Sequence, residues 1–353
     1  MKKILTLVLC LCMMLTMVTV FASCGKADYK LGMGIVVSMD SSATGNAQVD
    51  ATVATVVTDA DGKIVACRID AAQNKMTVTN GAVEATKTFK TKMELGDDYN
   101  MAKYGQSMDW NGDGVVKEWY DQAKAFENYV VGKTVAEVKE IKTQTLASGY
   151  VIAVDEALLS AGCTIQITDF IAAVTKACED EQGVSFTAKK DSFTLGVAAK
   201  TSVDSSTKAA TADAAGLVAM YTDFACAVVA DGKVVATLND AIQPKISINA
   251  AGEITDKAYT ATKRELKENY NMSTYGASMD PNGDGVVKEW YVQSAEFSKF
   301  VVGKTADEIA AMETATNSIG YQMTTDAALL EAGCTMQITG IKAVVAQAAT
   351  NAR

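Results

Sequence analysis

The chain has 353 residues, 49% hydrophobic and 21% charged, with only 2 Pro, a composition that excludes a disordered chain and allows about two domains. Its formal charge is −10 at pH 7, which repels nucleic acid and anionic headgroups, so nucleic acid is not an expected partner. It contains no His, which removes His triads, His general bases and His metal ligands together.

The first element in chain order is a targeting segment. Lys2 and Lys3 precede an uncharged apolar run over residues 4–21, and Phe21-Ala22-Ser23-Cys24 places small residues directly before a Cys. That order resembles a bacterial lipoprotein signal: residues 1–23 are removed, Cys24 is acylated, and the protein is anchored to the membrane outside the cytoplasm through that lipid. An ordinary signal peptide or a marginal membrane anchor is the alternative. Five Cys remain (Cys67, Cys163, Cys178, Cys226 and Cys334), an odd number without a C-x-x-C pair, so neither a disulfide framework nor a zinc site is implied.

Beyond the signal, two β-rich runs flank Asp61-Gly62 in AQVDATVATVVTDADGKIVACRID, a hairpin signature. MTVTN and ATKTFKTKMEL read as further strands. Gly32-x-Gly34 lacks the third Gly of a dinucleotide fingerprint. In VVKEWYDQAKAFENYVVG the apolar residues Val116, Trp119, Tyr120, Ala123, Phe126 and Val130 recur at helical spacing, and Gly132 is a natural stop. Thr134-x-x-Glu137 and Thr305-x-x-Glu308 are capping boxes for a short second helix. The segment SAGCTIQITDFIAAV (160–174) then predicts a short extended piece and a helix capped by Thr168 or Asp169 (Thr339 in its second copy). The polar stretch 178–190 reads as a linker.

The second half repeats the first. NGDGVVKEWY at 111–120 recurs unchanged at 282–291, VVGKT at 130–134 recurs at 301–305, and EAGCTMQITGIKAVV (331–345) matches 160–174 at nine of fifteen positions. The expected organisation is a signal (1–23) and two units, 24–180 and 190–353.

The order of parts in each unit resembles the FMN-binding domain of flavin carriers. The matching residues are Asp61-Gly62-Lys63-Ile64, Phe126 followed by Gly132-Lys133, and Ala161-Gly162-Cys163-Thr164. In the second unit they are Asp231-Gly232-Lys233-Val234, Phe297 followed by Gly303-Lys304, and Ala332-Gly333-Cys334-Thr335. The resemblance implies an α+β fold of two repeated FMN-binding-like domains, each an antiparallel sheet with packed helices. It also implies FMN as cofactor at Gly162, Cys163, Thr164 and Thr168, and at Gly333, Cys334, Thr335 and Thr339. Thr164 and Thr335 would be the acceptors of an FMN phosphoester. A phosphate beside a helix N-terminus meets free N–H groups, which suits that placement. Three departures accompany the match: Leu158 and Leu329 stand where the family has Asp, Ala161 and Ala332 replace Ser, and Cys163 and Cys334 replace Ala. A flavin-attaching enzyme therefore meets an altered segment. Without a ligand, the same residues read as a packed strand-to-helix turn.

A second constellation is Asp109-Trp-Asn111-Gly-Asp113-Gly, repeated as Asp280-Pro-Asn282-Gly-Asp284-Gly. It matches the first six positions of a Ca²⁺ loop, with oxygens at positions 1, 3 and 5 and Gly at 6, but position 12 is Tyr120 or Tyr291 instead of an acid. A weak Ca²⁺ site and a tight Asx turn both fit. Trp119 and Trp290 read as core, as do Cys163 and Cys334. No acid–base set stands out. The resemblance therefore implies a surface lipoprotein carrying electrons on flavin to redox partner proteins. The alternative is a non-enzymatic cell-surface module binding a wall, protein or glycan partner, with Ca²⁺ stiffening its loops.

Overall fold

Alternating residues of the first three strands point to two different cores, which fixes the layering of the whole molecule. A computed structural model describes residues 25–353, except 85–86, 102, 104–108, 110–111, 273, 275–279, 281–284 and 318–319. The expected signal segment (1–23) and Cys24 lie outside the described residues, as do Asn111, Asn282 and Asp284.

The first half runs β1 (Lys26–Ser38), β2 (Asn46–Asp59), β3 (Ile64–Thr79), β4 (Ala82–Val83), α1 (Lys92–Leu95), α2 (Trp119–Val130), α3 (Val135–Lys139), β5 (Thr143–Thr145), β6 (Val151–Ala153), α4 (Glu156–Ser160), α5 (Thr168–Cys178) and β7 (Val184–Lys189). The second runs β8 (Thr194–Val203), β9 (Gly216–Ala230), β10 (Lys233–Ile242), β11 (Lys245–Ile248), β12 (Ile254–Ala258), α6 (Lys263–Leu266), α7 (Trp290–Phe300), α8 (Ala306–Ala310), β13 (Thr314–Thr316), β14 (Gln322–Thr324), α9 (Ala327–Glu331) and α10 (Thr339–Thr350). The fold is α+β, and its strand pairs are antiparallel.

One sheet has the order β4-β3-β2-β1-β7; in the other, β9 pairs with β8, β10 and β11, and β11 with β12. On β2, Val53 and Val57 face an inner core shared with the second sheet, where Leu31, Met76, Leu195, Phe224 and Val228 meet. Ala54 and Val56 face the other way, toward Phe126 of α2 and Phe170 of α5. The second sheet does the same, with Ala225 and Ala227 turned toward Phe297 of α7 and Val344 of α10. The layers are thus helix, sheet, sheet, helix. Each fully buried Leu, Ile, Phe or Met contributes about 1.5–3 kcal/mol.

Glycine decides how closely the outer helices approach. A Cβ at Gly32 would overlap the carbonyl oxygen of Ala177 on α5, and one at Gly196 would overlap that of Ala348 on α10. These glycines are packing residues of β1 and β8, and the helix alanines they meet, Ala177 and Ala348, are 171 residues apart.

The hairpin at Asp61-Gly62, the helix from Trp119 and both capping boxes form as the sequence predicts. MTVT is the end of β3 and not a separate strand. The strand expected over ATKTFKTKMEL is replaced at its end by α1, because Thr91 and Glu94 form a third capping box. α5 and α10 begin at Thr168 and Thr339, with Ile167 and Ile338 at the cap positions and no side-chain cap, one residue from the expectation. The stretch 178–190 holds β7, whose alternating Phe186 and Ala188 enter the inner core beside β1. In the second half the long strand is interrupted: Pro244 stands between β10 and β11 where the first half has Asn74 within β3, and Pro offers no N–H to the ladder.

The halves are bound by a buried ion pair. Both Asp180 carboxylate oxygens accept from Arg264 Nη2, at 3.1 and 3.0 Å, and Asp180 also accepts from Met33 N. Among the described residues no helix is long and apolar enough to cross a membrane.

Candidate functional site

The repeated Gly-Cys-Thr junction is held by a single buried amide. Gln122 on α2 accepts at Oε1 from the Thr164 and Ile165 amides at 2.8 and 3.0 Å and from the Thr164 hydroxyl at 3.3 Å, and its Nε2 donates to Lys117 O. Gln293 repeats every one of these bonds with Thr335, Met336 and Lys288. Thr164 and Thr335 are each 1% exposed, so their hydroxyls are closed off from solvent. Gly162 and Gly333 both have φ +82°, and the Lys117 and Lys288 chains cross above them to donate to Ala161 O and Ala332 O. Cys163 and Cys334 are fully buried, and burial pushes both thiols up to about 12. Neither is a nucleophile.

Immediately after each Gly-Cys-Thr the chain lines a cavity. The first, of about 630 Å³, is bounded by Lys92 of α1, Tyr99, Trp119 of α2, Tyr150, Gln166 and Asp169 of α5. The second, of about 420 Å³, is bounded by Lys263, Tyr270, Trp290, Tyr321, Gln337 and, from β9, Asp223. The lysine, both tyrosines, the tryptophan and the glutamine recur at an offset of 171 (92 and 263, for example). The tryptophans read as core are indeed 4% and 3% exposed, yet each also lines its cavity. Thr168, Thr339, Thr164 and Thr335 are not among the lining residues.

Each lysine stands against aromatic faces. Lys92 Nζ is 4.9 Å from the Tyr99 ring centre and 5.4 Å from that of Trp119. Lys263 Nζ is 4.6 Å from Tyr270, 5.1 Å from Trp290 and 4.7 Å from Tyr221, whose hydroxyl it meets at 3.0 Å. The rings hold the cations by cation–π attraction. Burial pushes the Lys263 ammonium down and the Asp223 carboxyl up, and the attraction between the two opposes both shifts. Burial and the neighbouring Asp50 push Asp169 up, against Lys92. Carboxylates outnumber ammoniums in both cavities: Asp40, Asp50 and Asp169 against Lys92, and Asp204 and Asp223 against Lys263.

Two further acids escaped sequence reasoning. Asp70 at β3 accepts from Met93 N at the start of α1, and Asp240 at β10 accepts from Arg264 N at the start of α6. Burial pushes them up to about 7 and about 6. Each accepts at the N-terminal turn of a short helix, and neither lines one of the two cavities. A signal for the cavity residues was present: KMELGDDYNM and KRELKENYNM keep Lys, Glu, Leu, Tyr, Asn and Met at the same positions.

At the D-x-N-x-D-G loops, Asp109 accepts from Gly114 N at 3.0 Å and Asp280 from Gly285 N at 2.9 Å. Asp113 accepts from Val115 N, an Asx turn. Tyr120 and Tyr291, at position 12, donate instead to Asp97 and Glu268. Glu118 and Glu289 accept from the Met101 and Met272 amides. No group of three or more acids or Cys with metal-ligating geometry occurs among the described residues.

Compared with known proteins, the chain matches no family model, and no curated protein and no solved structure is significantly similar to it.

Proposed function

We propose that the protein is a lipid-anchored, extracytoplasmic flavin carrier with two FMN-binding-like units, each holding one flavin without a covalent bond. The observation that carries this reading is the pair of Lys-Tyr-Trp-Tyr cavities, repeated at the junction where the resemblance puts the cofactor. The residues fit a flat ring: aromatic faces, one ammonium and about 420–630 Å³ of space. They fit a phosphoester poorly, because both Thr hydroxyls are enclosed by Gln122 and Gln293. The excess of carboxylates disfavours drawing a phosphate inside, so the ring supplies the affinity. A bound flavin would supply electron-transfer chemistry to redox partner proteins, while the chain orients and shields it.

Titration of the mature chain with FMN and with riboflavin tests this. The expected result is quenching of flavin fluorescence with two equivalents bound, riboflavin binding at least as tightly as FMN. A protein that binds neither would end the flavin reading. Anchoring is tested separately: Cys24→Ala is expected to abolish labelling by a fatty acid and to release the protein from membranes.

The second reading, a non-enzymatic surface module stiffened by Ca²⁺, draws on the Asp109–Gly114 and Asp280–Gly285 bonds at the two loops. A melting temperature raised by Ca²⁺ and lowered by EDTA, with no response to flavin, would favour it.

A further inference from the structure

The two cavities differ at several positions, and at two of them the differences cancel. In the first, β2 presents Thr52 and α5 presents Asp169. In the second, the equivalent positions are Asp223 on β9 and Gly340 on α10 (52 and 223, 169 and 340, both 171 apart). The strand equivalence is fixed by register: Thr52 pairs with Ala71 beside Asp70, and Asp223 with Ala241 beside Asp240. A Cβ built at Gly340 would overlap Asp223 Oδ2. The second carboxylate therefore occupies the space into which the first cavity's Asp169 side chain projects. Each cavity keeps a carboxylate near its lysine, delivered once from the helix and once from the strand, and Gly340 makes the room.

Burying a carboxylate in an aromatic cavity is costly, and neutral residues of similar size were open to either half. Placing it at the same point by two backbone routes is the pattern of a group needed for binding. We propose that the Lys92–Asp169 and Lys263–Asp223 pairs recognise the imide edge of a flavin ring, the ammonium donating to a ring carbonyl and the carboxylate accepting from the adjacent ring N–H. This rests on the flavin reading above and names the part of the ligand the site selects.

The test compares riboflavin with riboflavin methylated on that ring nitrogen, by fluorescence quenching on the whole mature chain. The wild type is expected to bind the methylated ligand about tenfold more weakly, since the carboxylate then loses its donor. The double variant Asp169→Gly/Asp223→Thr should lose the discrimination, and adding Thr52→Asp and Gly340→Asp should restore it with the carboxylates exchanged between backbone routes. Far-UV circular dichroism checks that each variant folds; if the double variant does not, the wild-type comparison alone decides. Riboflavin binding with equal affinity for both ligands overturns the imide assignment and leaves flavin carriage standing. No binding of either ligand removes both.

Discussion

The first cavity is wide and its lysine half-exposed; the second is narrower and its lysine 5% exposed, although the same Lys, Tyr, Trp and Tyr build both. The difference comes from the strands behind them. Asp50 and Thr52 of β2 are replaced by Tyr221 and Asp223 of β9, so a ring covers the lysine and a carboxylate moves beneath it. The contacts available to a flat ligand are kept while the polarity around them changes. Two sites of one chemistry but unequal affinity are expected, and a titration that resolves two dissociation constants would confirm the contrast.

The comparison is most severely tested where the halves are joined. Arg264→Ala leaves Asp180 buried without its cation and is expected to cost about 3–5 kcal/mol in chemical denaturation. The exposed pairs Lys176–Glu265 and Lys267–Glu181 across the same joint should cost about 0–1 kcal/mol each. A single unfolding transition is expected throughout, because the inner core draws on both sheets; two transitions would show that the halves melt apart. Next, Gly32→Val and Gly196→Val force α5 and α10 off their strands, for a loss of about 3 kcal/mol each. Equal losses would mean that both outer layers are packed by the same rule.

Gln122→Ala and Gln293→Ala strip two buried amides and a hydroxyl of their acceptor, with an expected cost of about 2 kcal/mol each. A pH series sharpens the picture further. The folded chain keeps the protons of Asp70 and Asp240, raised to about 7 and about 6, whereas the unfolded chain releases them near pH 4. Stability therefore falls as pH rises from about 4 to about 7. Asp70→Asn, which retains the acceptor oxygen for Met93 N, should flatten that slope in urea melts, and more than Asp240→Asn. The chain has no His to titrate in the same window. The smallest effect belongs to the capping boxes: Thr134→Ala and Thr305→Ala should cost about 1 kcal/mol each.

Local chemistry was legible in the chain itself. The Asp61-Gly62 hairpin, the helix at Trp119 and the boxes at Thr134 and Thr305 follow from residues within a few positions of one another. The stretch at 178–190 misled because its charges suggested a connection, whereas Phe186 and Ala188 pair with Tyr29 and Ala27 of β1, at the far end of the first half. The region ending in KMEL misled because β-rich composition outweighed one Thr-x-x-Glu.

By itself, the sequence determined the duplication, the α+β elements and the position of the Gly-Cys-Thr junction, since each rests on short-range pattern. Only the tertiary structure decided that Thr164 and Thr335 turn inward to Gln122 and Gln293 while Lys92, Tyr99, Trp119 and Asp169 converge on the space beside them. It also decided that Asp223 and Gly340 together stand in for Thr52 and Asp169. The cavity residues lie on a strand, a short helix, the 3-10 turn that follows it and two longer helices, and what brings them to one cavity is the packing of outer helices onto a shared pair of sheets.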